Sequence, residues 1–170
     1  MPTDSSWVYA PAPEDSSHVE IKKHYQLFID GKFRDAADGR TFDTQNPANE
    51  AHLSEVAFSG EADVDTAVKA AHRAYNEVWC PMRPSDRGKY LYRIARILQE
   101  RSSEFAVTES LDGGKPIKES RDIDIPLASA HFFYYAGWAD KLDYAFPGRS
   151  PSSLGVAGQI IPWNFPLLMA

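Results

Sequence analysis

Apolar residues recur at every third or fourth position in four stretches of the chain, the spacing that places them on one face of a helix. The first stretch predicts a helix over residues 61–78, with acidic residues in its first turn, where the helix dipole favours negative charge. Its apolar stripe comprises Val64, Ala67, Val68, Ala71, Tyr75 and Val78.

Three more helices are predicted further along the chain. The second, over residues 85–101, would bury Leu91, Ile94, Ala95 and Leu98. The third, over residues 104–111, would end at Gly113 in a left-handed C-cap. The fourth would open near Asp124, with Pro126 tolerated in its first turn, and would carry a stripe of Leu127, Ala130, Tyr134 and Trp138. The aromatic residues from 132 to 138 could form a ligand platform, but core packing is the commoner role of such a group.

Short apolar runs separated by turn residues predict strands in the first sixty residues. Residues 1–20 mix Pro, Ser, Asp and Glu with little periodicity and predict a mobile tail. Asp30-Gly31 between two apolar runs is the strongest short hairpin signal, so we expect a two-stranded ribbon over residues 27–34. Further extended segments are predicted over residues 41–44 and 53–57.

Residues 154–166 carry the pattern with the clearest chemical content. The run up to Ile161 predicts a buried strand, and Pro162 ends it because proline lacks a ladder N–H. Pro166 biases Phe165 toward extended backbone, which stiffens the loop that follows the strand. Asn164 is the polar member of this apolar loop, and its amide could donate to a developing oxyanion. Alternatively, Asn164 only bonds neighbouring backbone in a turn, which on spacing alone is the commoner arrangement.

Five segments in the same order resemble the NAD(P)-dependent aldehyde dehydrogenase superfamily: FIDGKF at residues 28–33, NPA at 46–48, LDGGKP at 111–116, YAGWA at 135–139, and GQIIPWNFPLLM at 158–169. The resemblance runs from about residue 24 to the end of the chain. It implies an α/β fold, with amino-terminal helices and a β-ribbon followed by the first strand of a Rossmann-like cofactor-binding domain. Residues 21–170 would form the amino-terminal portion of that NAD(P)-binding domain, so we expect the chain to be an amino-terminal fragment.

The same resemblance implies a function. The parent protein would oxidise an aldehyde to a carboxylic acid with NAD or NADP through a cysteine thiohemiacetal. Asn164 would be catalytic, because it matches the asparagine that helps hold the oxyanion. Positions lining the cofactor are matched by Ile160, Ile161, Pro162 and Trp163. Positions on the aldehyde path are matched by Phe165 and Leu168.

The matching nucleophile would lie beyond residue 170, so the isolated chain is predicted to be inactive. Two other classes remain open: a catalytically inactive homologue serving as a scaffold, and a CoA-acylating aldehyde dehydrogenase. The residue at the catalytic cysteine position in the full gene would distinguish an active enzyme from an inactive scaffold. Assays with and without CoA would distinguish an acylating from a non-acylating enzyme.

Composition and charge limit the partners and the cellular compartment that we expect for this chain. The chain has 18 basic and 24 acidic residues, a net charge of −6, without a basic cluster, which argues against nucleic acid or an anionic membrane as partner. Prolines interrupt its one strongly apolar stretch, so no membrane span is expected. The single cysteine, Cys80, excludes an internal disulfide and suits the cytoplasm. It stands between Trp79 and Pro81 with no Ser/His/Asp grouping around it, so we interpret it as packed and inert rather than nucleophilic.

Other candidate groups have simpler explanations. No metal-ligand spacing links the five histidines, so no metal site is predicted. Glu109 and Lys115 could be an acid/base pair, but a solvated helix end explains them more simply. The connection over residues 144–153 is shorter than the β-ribbon that many members of the resembled superfamily use in subunit contacts. This argues against the usual tetramer, and we expect a homodimer or higher oligomer.

Overall fold

The computed structural model describes residues 15–170, with the side chain of His18 outside the description. Most of the predicted tail, and its aromatic residues Trp7 and Tyr9, lie outside that range. Where the prediction overlaps the structure, residues Ser16–His18 form a 3-10 turn. The Ser17 N–H donates to the Asp15 carboxylate at 2.9 Å, which caps the turn.

The strands form two small sheets. β1 is His24–Tyr25, β2 Leu27–Ile29, β3 Lys32–Arg34, β4 Thr41–Gln45 and β5 His52–Ala57. β2 and β3 pair as the predicted hairpin, with φ of 55° at Asp30 and 73° at Gly31, as a tight turn of this hand requires. The other sheet has the order β1-β5-β4, in which β5 runs parallel to β1 and antiparallel to β4. The predicted strands over 41–44 and 53–57 are confirmed.

Six helices follow. They are α1 Glu61–Ala74, α2 Pro84–Glu100, α3 Ser102–Gly113, α4 Ile117–Glu119, α5 Ile125–Trp138 and α6 Leu142–Ala145. A π-helical segment, Tyr75–Trp79, continues α1, and a second, Ser120–Asp124, joins α4 to α5. All four predicted helices are therefore present. The fourth, α5, begins at Ile125 with Asp124 as its N-cap and Pro126 in its first turn, as predicted; α4 and the second π-helical segment, which were not predicted, lead into it.

The core lies mainly where α2 packs against α5. Ala95 is fully buried, and the Ser129 hydroxyl donates to its carbonyl at 3.0 Å. Gly88 makes the close approach possible, since a Cβ there would lie 3.1 Å from the Ala136 carbonyl oxygen. The buried face of α5 carries Ile125, Ala128, Ser129 and Ala136.

Several burial predictions are wrong. The predicted α5 stripe is exposed instead, with Tyr134 60 % and Leu127 41 % accessible, and Tyr135 does not pack in a core either. On α2, Ile94 is exposed while Ala95 and Leu98 are buried as predicted. The stripe predicted over residues 61–78 also remains largely exposed, at Val64 and Val68 on α1 and at Val78 in the π-helical segment that continues it. Apolar spacing shows that a helix is amphipathic but does not show which surface covers it, and no described residue covers these faces.

The strand predicted before Pro162 is not formed. Residues 149–162 belong to no helix or strand, and Leu154 and Ile160 are fully exposed. A buried parallel strand needs hydrogen-bonded neighbours on its edges, and within residues 15–170 no strand lies beside this segment. The mixed helix-and-sheet class that the sequence predicts is confirmed.

Candidate functional site

A compact loop follows the extended segment. The Phe165 N–H donates to the Pro162 carbonyl at 3.4 Å, and the Met169 N–H donates to the Phe165 carbonyl at 3.1 Å. The chain therefore folds back on itself directly after Trp163. The side chain of Asn164 is exposed and has no hydrogen-bond partner among the described residues. The turn interpretation of Asn164 requires a bond from its amide to neighbouring backbone, and this part of the structure contains none.

The end of α3 forms one wall beside the loop. Gly114 adopts the left-handed conformation, with a φ of 69°, and its N–H donates to the Ser110 carbonyl at 3.1 Å. The predicted position of this cap, Gly113, was one residue too early, because Gly113 is still helical. A Cβ on Gly114 would lie 3.0 Å from the Pro47 Cβ, so the segment 111–116 is in contact with the segment 46–48 here.

A buried ion cluster lies directly after this cap. The Lys115 ammonium donates to Glu109 Oε1 at 2.8 Å and to Asp124 Oδ2. The three side chains are 11 %, 5 % and 2 % exposed. The prediction of a solvated helix end is therefore wrong. The π-helical segment Ser120–Asp124 brings Asp124 back onto the end of α3, a contact that helical periodicity does not reveal.

Two carboxylates share one ammonium in this cluster. Burial raises the pKa of Glu109, and the neighbouring Asp124 carboxylate raises it further against the effect of Lys115. Burial alone would lower the pKa of Lys115, but its hydrogen bonds to Asp124 and Glu109 outweigh burial, so this pKa is raised. The Lys115 side chain is therefore protonated and positively charged. The second oxygen of Glu109, Oε2, is buried and has no hydrogen-bond partner within the described residues.

The loop and the cluster meet. The Lys115 ammonium lies 4.2 Å from the centre of the Phe165 ring, within range of a cation–π interaction. A cavity of about 170 Å³ opens between the two features. Its lining consists of Glu109, Gly113, Gly114, Lys115, Trp163, Asn164 and Pro166. Asn164 and Trp163 are thus the predicted site residues that share a cavity with the ion cluster.

The other predicted site residues lie on the same segment but outside that cavity lining. Ile160 is fully exposed, and Trp163, although it lines the cavity, remains 83 % exposed. Ile161 and Pro162 are exposed, whereas Phe165 and Leu168 are half-buried. Sequence reasoning missed Asp124 as a partner of Lys115. The available signal was a lysine directly after a Gly-Gly helix end, with acidic residues on both sides.

Other chemical groups lie elsewhere. Cys80 is exposed, so the prediction that it is packed is wrong; it lines a different cavity, of about 510 Å³, together with Tyr75 and Ser153. The described residues contain no cluster of three or more His, Cys, Asp or Glu side chains that could hold a metal ion. Between residues 15 and 170, none of the helices has the length and hydropathy that a membrane crossing requires.

Comparison with known proteins adds independent information. The aldehyde dehydrogenase family profile matches residues 33–170. An aldehyde dehydrogenase of Alternaria alternata is 40 % identical over 158 residues, which are 88 % of this chain and 32 % of that protein. A mitochondrial aldehyde dehydrogenase of Leishmania tarentolae is 44 % identical over 165 residues, 91 % of this chain and 32 % of the relative.

Solved structures agree with these sequence matches. The NAD+ complex of aldehyde dehydrogenase from Bacillus cereus superimposes with a TM-score of 0.79 at 39 % identity. That superposition covers 88 % of this chain and 32 % of the Bacillus cereus chain. The chain thus spans about a third of the length of the proteins it matches.

Proposed function

The chain belongs to the aldehyde dehydrogenase family, and we propose that it forms the amino-terminal part of a longer enzyme that oxidises an aldehyde to a carboxylic acid with NAD or NADP. In that reaction one aldehyde, one oxidised dinucleotide and one water are converted to one carboxylic acid, one reduced dinucleotide and one proton. The observation that carries the proposal is the loop over residues 162–166, in a chain of this family: it presents the Asn164 amide next to a cavity, and no residue between 15 and 170 hydrogen-bonds that amide.

Asn164 would stabilise negative charge on the substrate oxygen. Its amide has two N–H donors, and no described group occupies either of them. Addition of a nucleophile to the aldehyde carbonyl places a full negative charge on that oxygen. One preorganised donor of this type lowers the barrier by roughly 3–4 kcal/mol. In this proposal the nucleophile is a cysteine thiolate supplied by a part of the enzyme outside these 170 residues, and Cys80 is not that group.

The extended segment before the loop fits a dinucleotide. Residues 156–162 have no strand partner among the described residues, so their backbone N–H and carbonyl groups make no ladder hydrogen bonds. Ile160 and Trp163 expose apolar surface beside that backbone. We assign Ile160, Ile161, Pro162 and Trp163 to cofactor contact through backbone and apolar surfaces. The nicotinamide of the bound dinucleotide would supply the hydride acceptor.

Substrate access is assigned to the inner face of the same loop. Phe165 and Leu168 are half-buried apolar residues that follow Asn164. An apolar approach to the reacting carbon excludes water, which strengthens the hydrogen bond from the amide to the oxyanion. In this proposal residues 21–170 contribute to the dinucleotide-binding domain, and the enzyme is a cytoplasmic homodimer or higher oligomer. Light scattering of the longer protein would measure that oligomeric state.

The proposal is tested by following reduced dinucleotide spectroscopically with the longer protein, an aldehyde, and NAD or NADP. We expect formation without CoA, and none from the isolated 170-residue chain. Formation that requires CoA would identify an acylating enzyme instead. A folded longer protein that forms none under either condition would identify a catalytically inactive scaffold. Turnover by the isolated chain would contradict the assignment of the nucleophile to the missing part.

A further inference from the structure

The buried ion cluster carries a larger desolvation free energy than a contact that only holds two helices together would require. It places two carboxylates and one ammonium out of water, and one carboxylate oxygen, Glu109 Oε2, has no hydrogen-bond partner in the part of the chain that the structure describes. Apolar residues of similar volume would join α3 to α5 without that desolvation cost. The arrangement therefore calls for a reason beyond holding two helices together, and the contact between Lys115 and Phe165 offers one.

The direction of the ammonium is fixed. An ammonium has three donors, and Lys115 uses its donors on Glu109 and Asp124, which lie on different helical segments. Both carboxylates are nearly inaccessible, so neither can swing away from Lys115. The charge is held in place, and the Phe165 ring lies over it at 4.2 Å. Burial strengthens this attraction because little water competes for the charge.

Phe165 directly follows Asn164, so a fixed ring constrains the direction of the amide. The hydrogen bonds that restrain the loop do not involve the Phe165 side chain: the Phe165 N–H bond to Pro162 is long, at 3.4 Å, the Met169 N–H bonds the Phe165 carbonyl at 3.1 Å, and the Gln159 amide bonds the Ala170 carbonyl at 2.7 Å. The neighbouring Trp163 is largely exposed. We propose that Lys115 is a positioning residue that acts through the Phe165 ring to orient the loop carrying Asn164, with Glu109 and Asp124 holding its ammonium in place. This inference rests on the proposed role of Asn164 as the oxyanion donor.

The test must separate positioning from stability. Lys115→Met alone leaves two buried carboxylates unpaired and can fail to fold. The informative variant is Glu109→Gln/Lys115→Met/Asp124→Asn, which keeps the side-chain volumes close to the original and removes all three charges. Lys89→Met is the matched control, because Lys89 forms an exposed pair with Asp86 on α2, remote in sequence from the loop.

In the full-length enzyme we expect the triple variant to lower kcat by about 10- to 100-fold, since a misplacement of about 1 Å costs up to about 10²-fold. The KM for NAD should change by less than about twofold, because the cofactor contacts are not removed. Lys89→Met should change neither quantity. In a Phe165→Leu background the triple change should have little further effect, because the ring through which the charge acts is absent.

Hydrogen exchange supplies a readout that does not depend on turnover. The triple variant should exchange faster than the wild type at the amides of Phe165 and Met169, with helices α2 and α5 unchanged. If the triple variant only lowers the melting temperature, leaving kcat per folded molecule and loop exchange normal, the positioning role is wrong. Additive effects of the triple change and Phe165→Leu would overturn it as well. A normal kcat in Asn164→Ala would instead overturn the proposed function, and loop exchange would still decide whether Lys115 holds the loop.

Discussion

Lys115 and Asp124, nine positions apart, form a buried ion pair that closes the end of α3 onto the start of α5. The pair places the lysine ammonium beneath the ring of Phe165, so one residue joins the helical core to the loop that carries Asn164. Glu109 shares the same ammonium. The stability of this junction and the geometry of the proposed site therefore depend on the same three ionisable groups.

The first prediction concerns the pH dependence of stability. Burial raises the pKa of Glu109 above its ordinary value of 4.5. The folded state therefore binds the Glu109 proton more tightly than the unfolded state does. The stability that this protonation contributes is fully present below pH 4.5 and is lost as the pH rises through the folded-state pKa of Glu109. Glu109→Gln removes this titration. The melting temperature of the variant should match that of the wild type in acid and exceed it increasingly toward neutral pH.

Denaturant or thermal unfolding at a series of pH values measures this difference. Asp122→Asn is the control: Asp122 is exposed and paired with Arg121, which lowers the pKa of Asp122, so the pH trend should have the opposite sign. A Glu109→Gln variant that loses stability relative to the wild type as pH rises would show that Glu109 is stabilising in its charged form.

The second prediction concerns the cap of α3. Gly114→Ala places a side chain on left-handed backbone, which costs about 1–2 kcal/mol, and forces its Cβ against Pro47 at 3.0 Å. Gly113→Ala is the matched control, because Gly113 is helical and a Cβ there meets nothing within 4 Å. The control should raise the free energy of unfolding by about 0.5–1 kcal/mol. Equal effects of the two variants would contradict the assigned cap.

The third prediction concerns the start of α1. One oxygen of the buried Asp63 carboxylate accepts the Gly60 N–H, and the other accepts the Ala37 N–H, both at 3.0 Å. Asp63→Ala leaves two part-buried donors without partners and should lower the free energy of unfolding by about 1–3 kcal/mol. Asp65→Ala, which removes only an exposed pair with Lys69, should cost less than about 0.5 kcal/mol. Urea unfolding compares the two variants, and equal losses would exclude the capping role of Asp63.

The β2–β3 turn and the helical spacings follow from local sequence, whereas the packing between residues distant in sequence does not. The hairpin at Asp30-Gly31 was predictable because the turn itself demands residues that tolerate positive φ. The buried face of α5 was not, because this helix is apolar on most sides and its period therefore indicates no direction. The packing of Ser129 on Ala95 depends on Gly88, which lies 41 positions before it.

In the candidate site too, the features set by neighbouring residues were predictable and those set by distant residues were not. The Pro-bracketed loop and the exposed Asn164 follow from residues adjacent in sequence. The pairing of Lys115 with Asp124 depends on a π-helical segment, which sequence periodicity does not distinguish from an ordinary helix. The strand predicted before Pro162 depends on ladder partners, so an apolar run alone could not establish it.

The proposed donation from the Asn164 amide to the oxyanion is measured by kcat of Asn164→Ala in the full-length enzyme. We expect kcat to fall on the order of 10²–10³-fold, with NAD affinity and melting temperature nearly unchanged, because the lost interaction is strongest in the transition state. Asn164→Asp should be at least as damaging, because an acceptor replaces the donors. A near-normal kcat in a well-folded Asn164→Ala enzyme would show that Asn164 is not the oxyanion donor.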